Sequence, residues 1–255
     1  MIRRRAGCRT QPGLPCGRVR GQPHRPRNDV EQYDDLVTHW WRPDGAFAAL
    51  HWLAAARGRL VPRPTTADPV LVDLACGGGL LAPHIEGYTH VGVDLSHSAL
   101  EQARQAGVQC VQGDITRLPL DSGVADVVVA GEIFEHVEDL PAAVAEAARI
   151  LAPGGYLIVD TIAANLLARV IVGRVQERLP GGPPPRIHDP ALFVAPARLR
   201  ALFARAGVTL RTRGLRVHPL DYLRFLLDRH RPVRLVPATT ALTLYQGIGF
   251  KDRDR

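Results

Sequence analysis

Residues 70–79, VLVDLACGGG, carry a short apolar run with one embedded acid straight into three consecutive glycines. Such a run, bounded by glycine, reads as a strand buried on both faces, and strands of that kind belong to parallel sheets covered by helices. The pattern recurs in THVGVDL (89–95), VQCVQGD (108–114) and ADVVVAGE (125–132), with an acid, Asp94, Asp114 or Glu132, at or next to the end of each. Asp73, Asp94 and Asp114 are thereby spaced at 21 and 20 residues, one for each strand–helix unit. This alternation specifies an α/β fold with a Rossmann-like, mostly parallel sheet and helices on both faces. YLIVDTI (156–162) supplies a fifth strand, and VTLRTRGLRV (208–217) with TTALTLYQGIGF (239–250) an antiparallel pair at the edge. Seven strands are expected in all.

Helices are expected over residues 30–57, from Leu80 onward, from Ser96, over 139–152, over 165–179 and over PARLRALFARAGV (196–208). SHSALEQA places Ser96 as the N-cap of its helix. PGGPPPR (180–186) is a helix breaker, so 165–188 reads as an insertion or lid on a single domain spanning 28–255. Residues 1–27 hold eight arginines and no acid. Rich in glycine and proline as well, that segment reads as a disordered tail. The net charge is +7, so without those eight arginines residues 28–255 carry −1. A nucleic-acid partner would be bound by the tail alone, and no specific one is expected. Cys8, Cys16, Cys76 and Cys110 form neither a disulfide framework nor a zinc pattern, and Cys76 serves as a small packing residue in the glycine loop. No apolar run approaches the ~20 residues needed to cross a bilayer, and the first residues lack a secretory signal. A soluble cytoplasmic protein is expected.

In an open α/β sheet, a glycine loop after the first strand lies at the crevice where ligands bind. Gly77, Gly78 and Gly79 let a ligand approach the backbone closely. Gly77-x-Gly79-x-x-Ala82 also satisfies the dinucleotide fingerprint, but only weakly as a signal. Asp73, four residues earlier, would repel a pyrophosphate and attract a cationic group. Asp94 is placed to accept from ribose hydroxyls, and Asp114 to accept from the exocyclic amine of adenine. An adenosine with a positively charged tail fits the three acids better than a diphosphate does.

VDLACGGG, VGVDLS, QGDITRLPL and LAPGGYLIVDT resemble the successive motifs of class I S-adenosylmethionine-dependent methyltransferases over residues 70–160. The resemblance implies that Asp73 and Gly77 to Gly79 line the methionine portion, that Asp94 takes the ribose hydroxyls, that Asp114 with Ile115 contacts adenine, and that Ala75 and Leu95 also belong to the cofactor-binding set. Ala75 departs from the usual glycine, and alanine is tolerated there if φ stays negative. HWWRPDGAFAALH, GEIFEHVED and IHDPALFVAPARLRALFARAGV resemble stretches of the ubiquinone-biosynthesis O-methyltransferase family over about residues 28 to 250. That family methylates phenolic hydroxyls on polyprenylated rings, which implies a phenolic or polyprenylated small-molecule acceptor. Another small-molecule or natural-product phenol is the alternative.

An O-methyl transfer needs the phenol aligned with the sulfonium methyl and relieved of its proton. Glu132, Glu135 and His136 follow the fourth strand and would share a face if that stretch is helical. Glu132 is a candidate for both cofactor contact and catalysis, and His136 and His188 are further catalytic candidates. Since some family members depend on divalent cations, the resemblance implies a Mg²⁺-like ion on Glu132, Glu135 and His136. Trp40 and Trp41 either cover the ligands or pack the first helix. In NLLARVIVGRVQERLP, Val170, Ile171, Val172, Val175 and Leu179 form an apolar stripe opposite Arg174, Glu177 and Arg178. The stripe either packs inward or rests on a membrane surface, at its inner face, as a lipid-tailed acceptor would suit.

Overall fold

The computed structural model describes residues 26–253, with only the backbone described at Gly173 and Arg174. The expected tail therefore lies almost wholly outside the described residues, as does the side chain of Arg174. The sheet comprises β1 (Val70–Leu74), β2 (Thr89–Asp94), β3 (Gln109–Gln112), β4 (Ala125–Gly131), β5 (Leu151–Ile162), β6 (Val208–Val217), β7 (Leu235–Ala238) and β8 (Leu244–Lys251). Their spatial order is β3-β2-β1-β4-β5-β8-β6-β7. The first five run parallel, whereas β8 pairs antiparallel with both β5 and β6, and β7 with β6. Chain direction across the sheet reverses between β1 and β4, so the carboxyl end of β1 opens onto the crevice.

The eighth strand is the difference from the expected seven. β7 reads LVPA, and its proline hides it from a propensity argument. It lies at the open edge, with Pro237 opposite Leu215, where a missing N–H costs no ladder bond.

Seven α-helices accompany the sheet among the described residues: α1 (Glu31–Asp35), α2 (Ala48–Gly58), α3 (His97–Gln105), α4 (Leu140–Ile150), α5 (Leu166–Val170), α6 (Pro196–Arg205) and α7 (Pro219–Leu227). Three helical expectations are corrected. The stretch 30–57 is not one helix: RPDG interrupts it between α1 and α2, as proline and glycine require. From Leu80 there is only a 3₁₀ turn, Ala82–His84, because Ile85 is extended and Gly87 has φ 76°. The stretch 165–179 is α5 followed by a π-helical turn, Ile171–Val175, and a 3₁₀ turn, Gln176–Arg178. The Ser96 cap is as expected, with its Oγ accepting from Ala99 N at 3.0 Å. Asp139 caps α4 in the same way.

Both sheet faces are covered. Val72, Val128 and Leu157 pack with Ala147 of α4 and Phe203 of α6. Leu71, Val127, Val129 and Ile158 face Leu81 and the Leu60–Val61 segment that follows α2. Each such side chain contributes about 1.5–3 kcal/mol by its burial, and this rigid platform holds the loops at the carboxyl ends in place. Cys76 packs against Leu100, Ala103 and Val108, as its small size foretold.

Candidate active site

A cavity of about 680 Å³ opens at the carboxyl ends of β1, β2 and β4, and Asp73, Asp94 and Asp114 all line it. Asp73 is 2% exposed. Asp94 accepts from Gly77 N through Oδ2 and from Ser96 N through Oδ1, each at 2.8 Å. The acid expected at the ribose therefore also braces the glycine loop. Its burial pushes its carboxyl above the ordinary aspartate range. Asp114 lies just past β3, exposed, with Oδ1 accepting from Thr116 N and Oγ1. Leu95, 54% exposed, and buried Ile115 also line the cavity.

The glycine loop corrects one expectation and refines another. Ala75 has φ 54°, in the left-handed region, so the condition set for alanine at this position is not met. Replacing Ala75 with glycine removes that strain, and chemical denaturation is expected to show the variant more stable by about 1 kcal/mol. A variant no more stable than the parent would mean that the loop relaxes around alanine. The closeness that Gly77 and Gly78 permit is taken up by tryptophan: a Cβ on either would meet the Trp40 ring, at 2.3 and 2.6 Å. Trp40 is buried and stacks on Phe47 at 4.3 Å, while Trp41 donates Nε1–H to Gly78 O at 3.1 Å. The two indoles clasp the loop, which is the packing role of the two set out for them.

Sequence reasoning missed Arg57. On α2 it sits four residues after Leu53, on the apolar face, where a buried charge is the available signal. Its Nε lies 2.7 Å from Asp160 Oδ2, with both side chains buried. A Cβ on Gly131 would collide with the guanidinium, so that glycine admits the arginine. Burial opposes the charge on Arg57, yet Asp160, Asp73 and Glu132 together hold it above its ordinary value.

Glu132 follows β4 with φ 53°, and its N–H donates to Asp160 O at 2.9 Å. After it comes only a 3₁₀ turn, Phe134–His136, so Glu132, Glu135 and His136 do not share a helical face. The group that assembles is Glu135, His136 and His188, with one ligand atom from each lying within 4.8 Å of the others. His188, from the insertion, takes the place expected for Glu132. The His136 and His188 rings stack at 5.0 Å. Glu135 Oε2 accepts from Thr161 Oγ1 at 2.7 Å, whereas Glu135 Oε1 and His188 Nδ1 are buried without a hydrogen-bond partner. Burial raises Glu135 to about 7 and also raises Glu132. It lowers His136 to about 4 and His188 well below its ordinary value. Two neutral imidazoles and a carboxylate with orphaned atoms are a donor set that fits a divalent cation.

A methyltransferase domain family matches residues 72–159, the span from β1 through most of β5. With the sheet order, glycine loop and acids, this makes the chain a class I S-adenosylmethionine-dependent methyltransferase. It is 32% identical over 236 residues to the ubiquinone biosynthesis O-methyltransferase of Cupriavidus pinatubonensis, covering 86% of this chain and 93% of that one. The counterpart from Thiobacillus denitrificans is 33% identical over 227 residues, covering 83% and 95%. The chain belongs to the ubiquinone biosynthesis O-methyltransferase family. Among solved structures, a Thermotoga maritima S-adenosylmethionine-dependent methyltransferase, a possible histamine N-methyltransferase, superposes with a TM-score of 0.59. At 22% identity, covering 88% of this chain and 96% of that one, it shares the fold.

Proposed function

We propose that this enzyme transfers the methyl group of S-adenosylmethionine to a phenolic hydroxyl of a quinone precursor bearing a polyprenyl tail. The observation that carries the reading is the continuity of one cavity. The space that takes in Asp73, Asp94 and His136 extends between Trp52, Leu53, Val172, Val217, Tyr222 and Leu244. A polar donor pocket joined to a long apolar arm suits a ring with a hydrocarbon tail.

In this reading Asp73 and the glycine loop receive the methionine portion, with Arg57 at the same end. Asp94 accepts from the ribose hydroxyls, Leu95 and Ile115 enclose the adenine, and Asp114 accepts from its amine. Glu132 stands at the methyl-transfer end. Alignment of phenol and sulfonium supplies much of the acceleration. His136, held neutral by burial, takes the phenolic proton. A divalent cation held by Glu135, His136 and His188 would instead take up the lone pair of His136 and lower the cost of ionising the ring hydroxyl itself, the proton then leaving to water. Glu135 must lose its proton to serve as a ligand, so cation affinity rises with pH through about 7. Either way, His136 acts through an unprotonated ring nitrogen.

No helix among the described residues is long and apolar enough to cross a membrane. The insertion's stripe nonetheless divides: Val172 is buried, while Leu166 (80% exposed), Leu167, Val170, Val175 and Leu179 face outward. Leu242 is exposed beside them, its carbonyl held by Asn165 Nδ2. In this reading the patch rests on the inner face of a bilayer, where a lipid-tailed acceptor resides, and 165–188 acts as the lid between lipid and cavity.

Calorimetry with S-adenosylhomocysteine, with NAD as control, tests the donor half. Binding of the former alone is expected, and Asp94→Ala is expected to weaken it by about 1.5–3 kcal/mol. Unchanged affinity would remove Asp94 from the ribose site. Methylation of a prenylated catechol at a KM well below that of catechol itself supports the acceptor half. Equal KM values would assign the enzyme to an untailed phenol.

A further inference from the structure

Asn28 and His136, 108 residues apart, are joined by two hydrogen bonds. Asn28 Nδ2 donates to the main-chain O of His136 at 2.9 Å. A carbonyl oxygen only accepts, so this bond fixes which end of the amide is nitrogen. The other end, Oδ1, lies 2.5 Å from His136 Nδ1. An amide oxygen also only accepts, so Nδ1 must carry the proton. In a neutral ring the lone pair is then on Nε2, the nitrogen facing Tyr33 OH at 3.5 Å on the cavity side.

The backbone supports the same arrangement. Asn28 has φ 59°, a conformation that asparagine tolerates better than most residues. Its N–H donates to Arg186 O at 3.1 Å, two residues before His188. Arg27 Nη1 donates to His188 O at 3.0 Å. Residues 27 and 28 thus hold the strands of chain that carry both histidines.

We propose that Asn28 is a positioning residue that locks His136 in its Nδ1–H tautomer and leaves Nε2 unprotonated on the cavity side, where its lone pair accepts only the long contact from Tyr33 OH. This rests on the reading that His136 acts on the acceptor hydroxyl. A base or a ligand needs that lone pair, and an imidazole without such a partner favours the opposite tautomer, with Nε2 protonated and unable to serve. The docked N-terminal segment therefore sets the tautomer of His136 across 108 residues of chain.

The test uses the full chain labelled with ¹⁵N-histidine, with the His136 signals assigned from His136→Gln. Long-range ¹H–¹⁵N spectra above the imidazole titration range report which ring nitrogen is protonated. Three proteins are compared: the parent, Asn28→Gly, which keeps the left-handed backbone but has no side chain, and Asn28→Asp, which keeps an oxygen acceptor. The parent and Asn28→Asp are expected to show Nδ1–H, and Asn28→Gly a shift towards Nε2–H. On a prenylated catechol, kcat is expected to fall about 10–100-fold in Asn28→Gly, the usual cost of losing a residue that orients a histidine. S-adenosylhomocysteine affinity should stay unchanged, and Asn28→Asp should recover most of the rate. Persistence of Nδ1–H in Asn28→Gly overturns the proposal, and so does loss of that tautomer with no loss of rate. A parental rate in His136→Ala would trace the second outcome to the role given to His136 and not to the Asn28 contact.

Discussion

Replacing Arg57 with methionine is expected to lower the unfolding free energy by about 3–5 kcal/mol, the usual cost of removing one partner from a buried ion pair. The pair it forms with Asp160 is sealed from water, and its guanidinium also faces the charges of Asp73 and Glu132. Without it, three buried acids confront one another with no cation. The double variant Arg57→Met with Asp160→Leu removes charge from both sides and is expected to recover a large part of the loss. Chemical denaturation of the four proteins of this cycle gives the coupling directly. A single variant as stable as the parent would mean that Asp160 and Glu132 simply take up protons, which their raised values make cheap. S-adenosylhomocysteine binding to the double variant then separates the arginine's structural role from any contact it makes with the methionine carboxylate.

Replacing His136 with alanine is expected to lower kcat by about 10²–10⁴-fold, the range for loss of a general base. Affinity for S-adenosylhomocysteine should hardly change, because Asp73, Asp94 and Asp114 lie on β1, on β2 and just past β3, and not on the turn that carries the histidine. The measurement is steady-state methyl transfer to a prenylated catechol alongside calorimetry. A large drop in kcat with intact cofactor affinity supports the assignment. Loss of cofactor affinity would make His136 a structural support of the pocket, and an unchanged kcat would pass the proton to another group.

The donor half of the site was readable in the sequence because its parts are local. Three glycines after an apolar run, an acid closing the next strand and a serine before a helix each act within a few residues of chain. The acceptor half was harder to read because its contacts are distant. Asn28 meets His136, and Glu135 meets His188, only after the sheet has brought their loops together. Arg57 was passed over inside an alanine-rich helix, although its place on the apolar face asked for a partner. Positive φ at Ala75 and Glu132 could not be read either, since neither residue prefers that region. The helix expected after β1 dwindled to one turn for a visible reason, with Pro83 and Gly87 both close at hand.

The chain contains three tryptophans. Trp40 sits on Gly77 and Gly78, Trp41 holds the Gly78 carbonyl, and Trp52 lines the apolar arm, edge-on to Phe225 at 4.9 Å. Two of the three indoles, Trp40 and Trp52, therefore line the cavity, and the third grips its glycine loop, so tryptophan emission reports on that region of the protein. With the donor at the glycine loop and the acceptor beside Trp52, as proposed, the two would perturb different indoles, and a stopped-flow trace on the unlabelled enzyme is expected to carry the order in which they arrive.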